Sequence, residues 1–451
     1  MKKHLILSLL ACILAAEPVA HAAETSFEED HSLPVVEINV AVKTGAESDP
    51  KSALGVTNFM GEMLLRGTKR RNKQQIDLAI DQMGAQLSVE ARSGTMILRG
   101  AVLSSQLDPF LALLTEILTE PSFPEREISH LKSEVVSQIL DEMGSDRELA
   151  GRKFTETLFK DHPYGKPILG MSSTINHLTR TDIEKQYQAL ITDKQLLVVG
   201  TGDTQAAKIS AWAEQLGQTL KHSGQSGSDV KIATPQEPTS RELIIVDKPN
   251  RTQTQITGGQ IGIRMTDPSF FPLYLGNQAF GGGSFSARLM QEVRVKRGWS
   301  YGAYSYFKHS KEPRSWQFYL FPAAKDTPSA LALTLKLTDD VREKGITPEE
   351  FDFAQKSLIN GAGFMFDTPK KRVENKLLER TLDLPDGFMK TYAAELTKVT
   401  LPQVNTALHD FLDPKHFLIV VVGTASELKT PLTQAAGVTP EHVKVVPYTQ
   451  E

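Results

Sequence analysis

The sequence predicts an α+β protein made of two homologous layered domains, each a sheet with helices packed on one face. Strand-like and helix-like patterns alternate irregularly in each half, with hairpin and helix-pair connections, which is typical of layered α+β folds rather than of a doubly wound sheet. The same order of elements recurs in both halves at a nearly constant offset, which a duplicated domain explains better than chance. With 451 residues, the chain is also long for a single hydrophobic core.

The first 22 residues have the pattern of an export signal. Two lysines precede an apolar run from Leu5 to Ala16, and small residues then lead to a cleavage position after Ala22. This run of 12 residues is too short to span a bilayer about 30 Å thick. The pattern therefore predicts a protein that is cleaved near Ala22 and is periplasmic or secreted.

Cys12 is the only cysteine, and it lies inside this predicted signal. The sequence from Leu9 to Cys12 loosely matches a lipoprotein cleavage box, so lipidation is the alternative interpretation. The apolar run continues past Cys12 and a better cleavage site follows, which favours Ala22. One cysteine cannot form an intramolecular disulfide, so a disulfide scaffold is excluded.

Charge and hydropathy exclude two further classes of protein. The chain has 50 basic and 54 acidic residues, a net charge of −4, without the basic excess that a sequence-independent nucleic-acid binder needs. After the signal no stretch of 18 residues is apolar, so no transmembrane segment is predicted. The composition, 40% hydrophobic and 23% charged, is that of an ordinary globular protein.

The first domain is predicted over residues 23–221. The β-rich run Val35–Val42 predicts a strand, and apolar residues at three-and-four spacing from Leu107 predict an amphipathic helix that ends before Pro121. A second helix is predicted from about Glu125 to Met143. A capped helix then begins near Thr179 and leads into a predicted strand at residues 196–199.

The second domain is predicted over residues 241–451 and repeats this order. Helices are predicted at residues 328–341 and from Glu349, then from Thr400, followed by a strand at residues 417–422. The offset between equivalent positions is 221 residues from Thr179 to Thr400 and 223 from Gly200 to Gly423. Residues 222–240 are rich in Ser, Gly and Pro and almost free of large apolar residues, which predicts an interdomain linker.

Autonomous hydrolytic chemistry has little support in the residues themselves. None of the 11 histidines forms a His-x-x-x-His pair, which a helical zinc site would use. There is no Gly-x-Ser-x-Gly nucleophile elbow. Gly281, Gly282 and Gly283 lack the Lys-Ser/Thr of a phosphate loop and are better interpreted as a turn, and His162 is also interpreted as a turn residue.

One segment nevertheless resembles a peptidase motif. The sequence Gly55-Val-Thr-Asn-Phe-Met-Gly-Glu-Met-Leu-Leu-Arg-Gly-Thr68 is similar to the zinc-site helix of the insulinase (pitrilysin, M16) metallopeptidases, Gly-x-x-His-φ-x-Glu-His-Met-φ-φ-x-Gly-Thr, where φ is apolar. The framework matches at Gly55, Phe59, Met63, Leu64, Gly67 and Thr68. The resemblance extends over nearly the whole mature chain and implies the two-domain fold of that family.

The catalytic positions of the motif do not match. The first ligand His falls on Asn58, the general-base Glu on Gly61 and the second His on Glu62, while the third ligand, a Glu on the second helix, falls near Glu134. One carboxylate without two imidazoles is not a zinc site, and Gly61 cannot activate water. The resemblance therefore implies that this chain binds no metal and that Asn58 and Glu62 are vestigial or structural.

A second family signature is intact. Residues 286–302 resemble a segment that ends in Arg-x-x-x-Gly-φ-x-Tyr, and Arg294 and Tyr301 hold its spacing of seven residues. In the family these two side chains reach the zinc site across the cavity. A guanidinium and a phenol can donate hydrogen bonds to the oxyanion of a tetrahedral peptide intermediate. An apolar helix face formed by Phe285, Leu289 and Val293 is expected before Arg294, with Gly298 ending the helix.

A lost zinc site beside a retained Arg/Tyr pair resembles the zinc-free subunit of heterodimeric two-domain members of this family. The resemblance implies a non-catalytic subunit that pairs with a His-x-x-Glu-His partner, which binds the zinc, and that helps to enclose an unfolded peptide. The alternative is a pseudo-peptidase that binds peptides or scaffolds an assembly. A third interpretation is an autonomous metalloenzyme that uses Glu62, Glu134 and a distant histidine.

Overall fold

The computed structural model describes residues 23–222, 232–283 and 285–451. The predicted signal at residues 1–22, with Cys12, lies outside the described residues, and so do residues 223–231 of the predicted linker. In the described part of the chain, no helix is both long and apolar enough to cross a membrane.

The first half of the chain contains one sheet and its helices. Its strands are β1 (Glu24–Glu29), β2 (Val35–Val42), β3 (Gln86–Ala91), β4 (Met96–Leu103) and β5 (Leu196–Gly202). Its helices are α1 (Val56–Leu64), α2 (Lys73–Gln82), α3 (Leu107–Thr119), α4 (Glu125–Gly144), α5 (Asp146–Leu158), α6 (Ser172–His177), α7 (Arg180–Leu190) and α8 (Ala206–His222).

The second half also contains one sheet and its helices. Its strands are β6 (Glu242–Asp247), β7 (Gln255–Ile261), β8 (Ser300–Phe307), β9 (Ser315–Pro322), β10 (Leu418–Gly423) and β11 (Val443–Pro447). Its helices are α9 (Phe270–Asn277), α10 (Thr327–Lys344), α11 (Pro348–Ala362), α12 (Pro369–Thr381), α13 (Phe388–Lys398), α14 (Leu401–Phe411) and α15 (Ala425–Ala436), with π-helical turns at Gln278–Gly282 and Met290–Val295.

The two sheets share one topology. The first has the order β1-β5-β2-β4-β3, and the second has the order β11-β6-β10-β7-β9-β8, so that β6, β10, β7, β9 and β8 occupy the places of β1, β5, β2, β4 and β3. In both sheets the first of these pairs is parallel and the other three are antiparallel. The predicted α+β class and the internal duplication are therefore confirmed.

In each domain, one helix packs on the sheet of the other domain. Helix α5 of the first half packs on β7 and β10, where Leu149 and Phe154 join a core with Val420 and Val422. In the second half, helix α12 packs on β2 and β5 and buries Val373 and Leu377 against the first sheet. The central strands are therefore buried on both faces, which explains why their sequences are nearly continuous runs of apolar residues.

Ion pairs fix the ends of these exchanged helices. Asp146, at the start of α5, pairs with Lys248 at 2.7 Å and with Arg251 at 2.6 Å in the second half. Arg372, in the first turn of α12, pairs with Asp30 at 2.6 Å in the first half. The two contacts occupy equivalent places with their charges reversed, so the duplicated domains contact each other through related but not identical surfaces.

Candidate functional site

Helix α1 carries the segment that resembles a zinc-site helix. Gly55 precedes the helix with a φ of 88°, a left-handed conformation that favours glycine. The Asp49 carboxylate accepts hydrogen bonds from the Gly55 amide at 2.7 Å and from the Thr57 amide at 3.1 Å, which satisfies free N–H groups at the helix start. Burial raises the pKa of Asp49 to about 6, and these hydrogen bonds oppose that shift.

A guanidinium lies among the acidic side chains of this region. Arg66, on the turn after α1, places Nη2 2.6 Å from Oε2 of Glu134 on α4 and 3.7 Å from Oε2 of Glu62. Glu127 on α4 lies 4.0 Å from Nη1. Arg66 holds the pKa of Glu134 below its usual value, whereas burial raises the pKa of Glu62. One guanidinium thus compensates part of the negative charge of these three carboxylates.

Neighbouring side chains fill the space beside Gly61, the position where the family motif has its general-base Glu. A Cβ atom at Gly61 would lie 2.7 Å from Sδ of Met96 and 2.9 Å from Cγ1 of Val89. Gly61 therefore allows α1 to lie close to β3 and β4. Asn58, three residues earlier, has a buried Nδ2 atom beside Glu62, and this amide opposes the rise in the pKa of Glu62 although no hydrogen bond of ordinary geometry joins the two side chains.

These residues do not fit a zinc ion. Zinc requires nitrogen, sulfur or carboxylate ligands that converge on one point, and here a guanidinium occupies the space between Glu62 and Glu134. Within residues 23–222, 232–283 and 285–451, no three His, Cys, Asp or Glu side chains are grouped as a metal site would need. This region therefore lacks the set of metal ligands that the third interpretation, an autonomous metalloenzyme, requires.

Arg294 and Tyr301, predicted as a functional pair, are in direct contact. The Cζ atom of Arg294 lies 4.1 Å from the centre of the Tyr301 ring and 4.7 Å from that of Phe285. Tyr301 is 73% exposed and Phe285 is 54% exposed. The half-buried guanidinium is thus stacked against two exposed rings in a cation–π arrangement.

The local backbone explains this arrangement and corrects one expectation. Arg294 lies in the π-helical turn Met290–Val295 rather than after a regular helix, and Gly298 then adopts a φ of 66° before strand β8. Leu289 and Val293 are buried, as predicted. Phe285 was expected on the same apolar face, which is wrong: it stacks on Arg294 instead.

The glycine run and His162 have structural roles. Residues 278–282 form a π-helical turn, and a Cβ atom at Gly281 would lie 2.4 Å from Oγ of Ser305 in β8, so close packing as well as chain reversal requires glycine there. His162 caps the short helical turn that begins at Pro163, and its Nε2 atom is hydrogen-bonded to the Ala233 carbonyl at 2.7 Å. The prediction of a turn residue is confirmed for His162.

Sequence reasoning missed Arg66 and Phe285 as members of the two clusters. Glu62 and Arg66 are four residues apart, a spacing that brings charges together on a helix. The contact between Glu62 and Arg66 could therefore have been predicted from the sequence. The contact of Arg66 with Glu134 spans 68 residues, and that of Phe285 with Arg294 depends on the π-helical turn. Local periodicity in the sequence predicts neither of these two contacts.

Two family models match consecutive parts of the chain. The model described as insulinase (peptidase family M16) matches residues 25–172, and the model described as peptidase M16 inactive domain matches residues 177–358. This chain belongs to the M16 family. The M16 matches include α1 and α4 in the first domain and the Arg294–Tyr301 pair in the second.

Similar M16 proteins differ in how they are named. The chain is 24% identical over 432 residues to the non-peptidase homolog YmxG of Helicobacter pylori, which covers 93% of this chain and 98% of that protein. It is also 24% identical over 406 residues to an uncharacterized zinc protease of Mycobacterium leprae, ML0855, covering 87% of this chain and 88% of that one.

The fold is that of solved M16 structures. A crystal structure described as a peptidase M16 inactive domain from Pseudomonas fluorescens superimposes with a TM-score of 0.83 at 24% identity, covering 90% of this chain and 96% of that one. The periplasmic protease PqqL from Escherichia coli gives a TM-score of 0.73 at 12% identity, with 93% of this chain and 50% of that one covered. Both likenesses show the two-domain M16 fold.

Proposed function

We propose that this chain is a zinc-free, non-catalytic subunit of a heterodimeric M16 metallopeptidase, exported to the periplasm after cleavage near Ala22. Its partner would be an M16 subunit with a His-x-x-Glu-His motif, which binds the zinc. This chain would supply Arg294 and Tyr301, which bind and polarise the carbonyl of an unfolded peptide, together with half of the enclosing cavity.

The observation that carries the proposal is the state of the Arg294–Tyr301 pair. The two side chains touch, and in the described chain neither side chain has a hydrogen-bond or salt-bridge partner. The neighbouring Arg297 differs, since its guanidinium pairs with Glu292 at 2.7 Å. Arg294 is half-buried. A guanidinium with unused donors can bind a substrate oxygen without first breaking an internal ion pair.

The zinc would have to come from another chain. Arg66 lies beside both Glu62 and Glu134, and side chains of β3 and β4 fill the space beside Gly61. A peptide carbonyl held by Arg294 and Tyr301 would therefore need water activated by a partner's metal. A pair that stabilises an oxyanion in this way typically contributes about 10²- to 10³-fold to turnover per donor.

The alternative is a pseudo-peptidase that binds peptides or scaffolds an assembly without any catalysis. The name of the similar Helicobacter pylori protein, non-peptidase homolog, favours this candidate. The two proposals differ in whether a zinc-bearing partner is required.

The test measures peptidase activity on a mixture of unstructured peptides. The chain is assayed alone, with the closest co-encoded His-x-x-Glu-His protein, and with that protein plus a chelator. Activity that appears only in the mixture and disappears with the chelator supports the subunit. Peptide binding by the chain alone, without activity in either tube, supports the pseudo-peptidase.

Variants then test the assigned residues in the mixture. Arg294→Ala with Tyr301→Phe should lower turnover by about 10² or more while the two chains still co-purify. Arg297→Ala is the matched control, because it removes a nearby guanidinium that already has an acidic partner. Wild-type turnover in the Arg294/Tyr301 double variant would exclude the proposed role.

A further inference from the structure

A cavity of about 1090 Å³ lies between the two domains, and neither α1 nor the Arg294–Tyr301 pair lines it. The first domain contributes the segment after β2 and the turn between β3 and β4, including Glu47 and Ser93. The second contributes the equivalent connection between β8 and β9, including Lys308 and Arg314, and the end of α12. Two equivalent hairpin ends thus meet across the domain boundary.

Some charges in the lining are already neutralised. Lys43 pairs with Glu24 at 2.6 Å, and Lys311 pairs with Asp383 at 2.8 Å. Glu47 is 4% exposed, and burial raises its pKa to about 7, so its carboxyl is only partly ionised at neutral pH. The partial negative charge of Glu47 therefore compensates only part of the positive charge of the remaining cations.

Lys194, Lys308 and Arg314 are the lining cations without an ion pair in the described chain, and Lys194 is exposed whereas Lys308 and Arg314 are half-buried. Asp193 also lines the cavity without an ion pair and accepts a hydrogen bond from the Lys194 amide at 2.9 Å. Arg314 donates from Nη1 to Oγ of Ser93 at 2.8 Å and stacks on the Tyr164 ring at 4.6 Å. Burial lowers the pKa of Lys308, and the nearby positive charge of Arg314 lowers it further. Two like charges that repel each other in a partly dry cavity are costly unless something negative joins them.

A polar atom beside them also lacks a partner. His309 lines the same cavity, and its Nδ1 atom is buried without a hydrogen bond in the described chain. Burial lowers the pKa of His309 to about 4, so the ring is neutral and offers one N–H donor at physiological pH. Consecutive residues on one connection therefore present an ammonium and an imidazole to a cavity that a guanidinium also lines.

We propose that this interdomain cavity binds a small molecule with a carboxylate or phosphate group, held by Lys308 and Arg314. The cavity volume lies slightly above the usual range of small-molecule sites, about 300–1,000 Å³. A bound anion would relieve the repulsion between the two cations and would contact both domains at once. This site is independent of the proposed heterodimer, because all its residues belong to one chain.

The test uses the purified full chain without any partner subunit. Binding of inorganic phosphate and of succinate is measured by calorimetry and by the shift in thermal midpoint, so that the two anion classes are distinguished. The variant Lys308→Met keeps the length of the side chain and removes its charge. Lys325→Met is the matched control, because Lys325 is exposed on a short helical turn away from the cavity.

At least one anion should bind the wild type and raise its thermal midpoint, with weaker binding as ionic strength rises. Lys308→Met should weaken this binding about 10-fold or more, while Lys325→Met leaves it unchanged. Without ligand, Lys308→Met should be at least as stable as the wild type, because it removes an unpaired, half-buried charge. That result would show that the variant is folded.

Two outcomes would overturn the proposal. In one, neither phosphate nor succinate binds the wild type at millimolar concentration. In the other, Lys308→Met and Lys325→Met bind the anion equally well, which would mean adventitious surface binding only. Neither outcome bears on the heterodimer, whose test depends on activity with a partner.

Discussion

The guanidinium of Arg66 lies 2.6 Å from the carboxylate of Glu134, the one residue that the resemblance retained as a zinc ligand. This contact joins the turn after α1 to α4 and places a fixed positive charge beside the remaining carboxylate. Arg66 is only 11% exposed, so its charge is partly removed from solvent. The region is therefore a structural ion pair within the M16 fold.

The Arg66–Glu134 pair should be measurable as a coupling free energy. Arg66→Met should reduce the free energy of unfolding by about 1–3 kcal/mol, because Glu62 and Glu134 then face each other without a cation. Adding Glu134→Gln should recover part of this loss, with a coupling of about 1 kcal/mol or more in chemical denaturation. Strictly additive effects, or a thermal midpoint that falls when a chelator is added to the wild type, would contradict this assignment.

Gly61 should be intolerant of a side chain. Gly61→Ala places a methyl group 2.7 Å from Sδ of Met96, so it should lower the free energy of unfolding by about 1–3 kcal/mol through overpacking. Gly151→Ala is the control, because nothing lies within 4 Å of the new methyl group in α5. There we expect a gain of about 0.5–1 kcal/mol, since alanine favours helix more than glycine does. A neutral or stabilising Gly61→Ala would show that α1 can move away from the sheet.

Loss of a side chain from the exchanged helix α5 should loosen the opposite domain. Phe154→Ala should cost about 3–5 kcal/mol and increase amide hydrogen exchange in β7 and β10, because Phe154 is fully buried against the second sheet. Phe110→Ala is matched in size and burial but removes contacts within the first domain. Its increase in exchange should include β4 and spare β10, and the same pattern in both variants would argue against domain-specific coupling.

Glu47 should make stability depend on pH. Its folded pKa of about 7 lies above the unfolded value, so the folded state binds more protons and the free energy of unfolding falls as pH rises from about 4.5 to about 7. Glu47→Gln removes this term. Its stability relative to the wild type should therefore increase between about pH 5 and about pH 8, by on the order of 1–3 kcal/mol in denaturation curves. The exposed Glu427→Gln should show no such trend, and an equal trend in both would refute the assignment.

Local patterns predicted most of the regular structure. The apolar run at residues 35–42 forms strand β2 with the predicted bounds, and the helices expected from Leu107 and Glu125 begin at those residues. The helix expected over residues 328–341 extends from Thr327 to Lys344. These agreements follow from side-chain period and from residues such as Pro121, which act over a few neighbours and so are visible in the sequence.

The sequence by itself determined that this chain is a duplicated α+β protein of the M16 family without the histidines of its zinc motif, because repeats and missing ligands are properties of residue order. Only the tertiary structure decided which residues replace that chemistry. Arg66 meets Glu134, and Arg314 meets Ser93, through contacts between elements far apart in the chain. The sequence also could not predict that α5 and α12 pack on the sheet of the other domain, since an apolar helix face does not indicate which sheet will cover it.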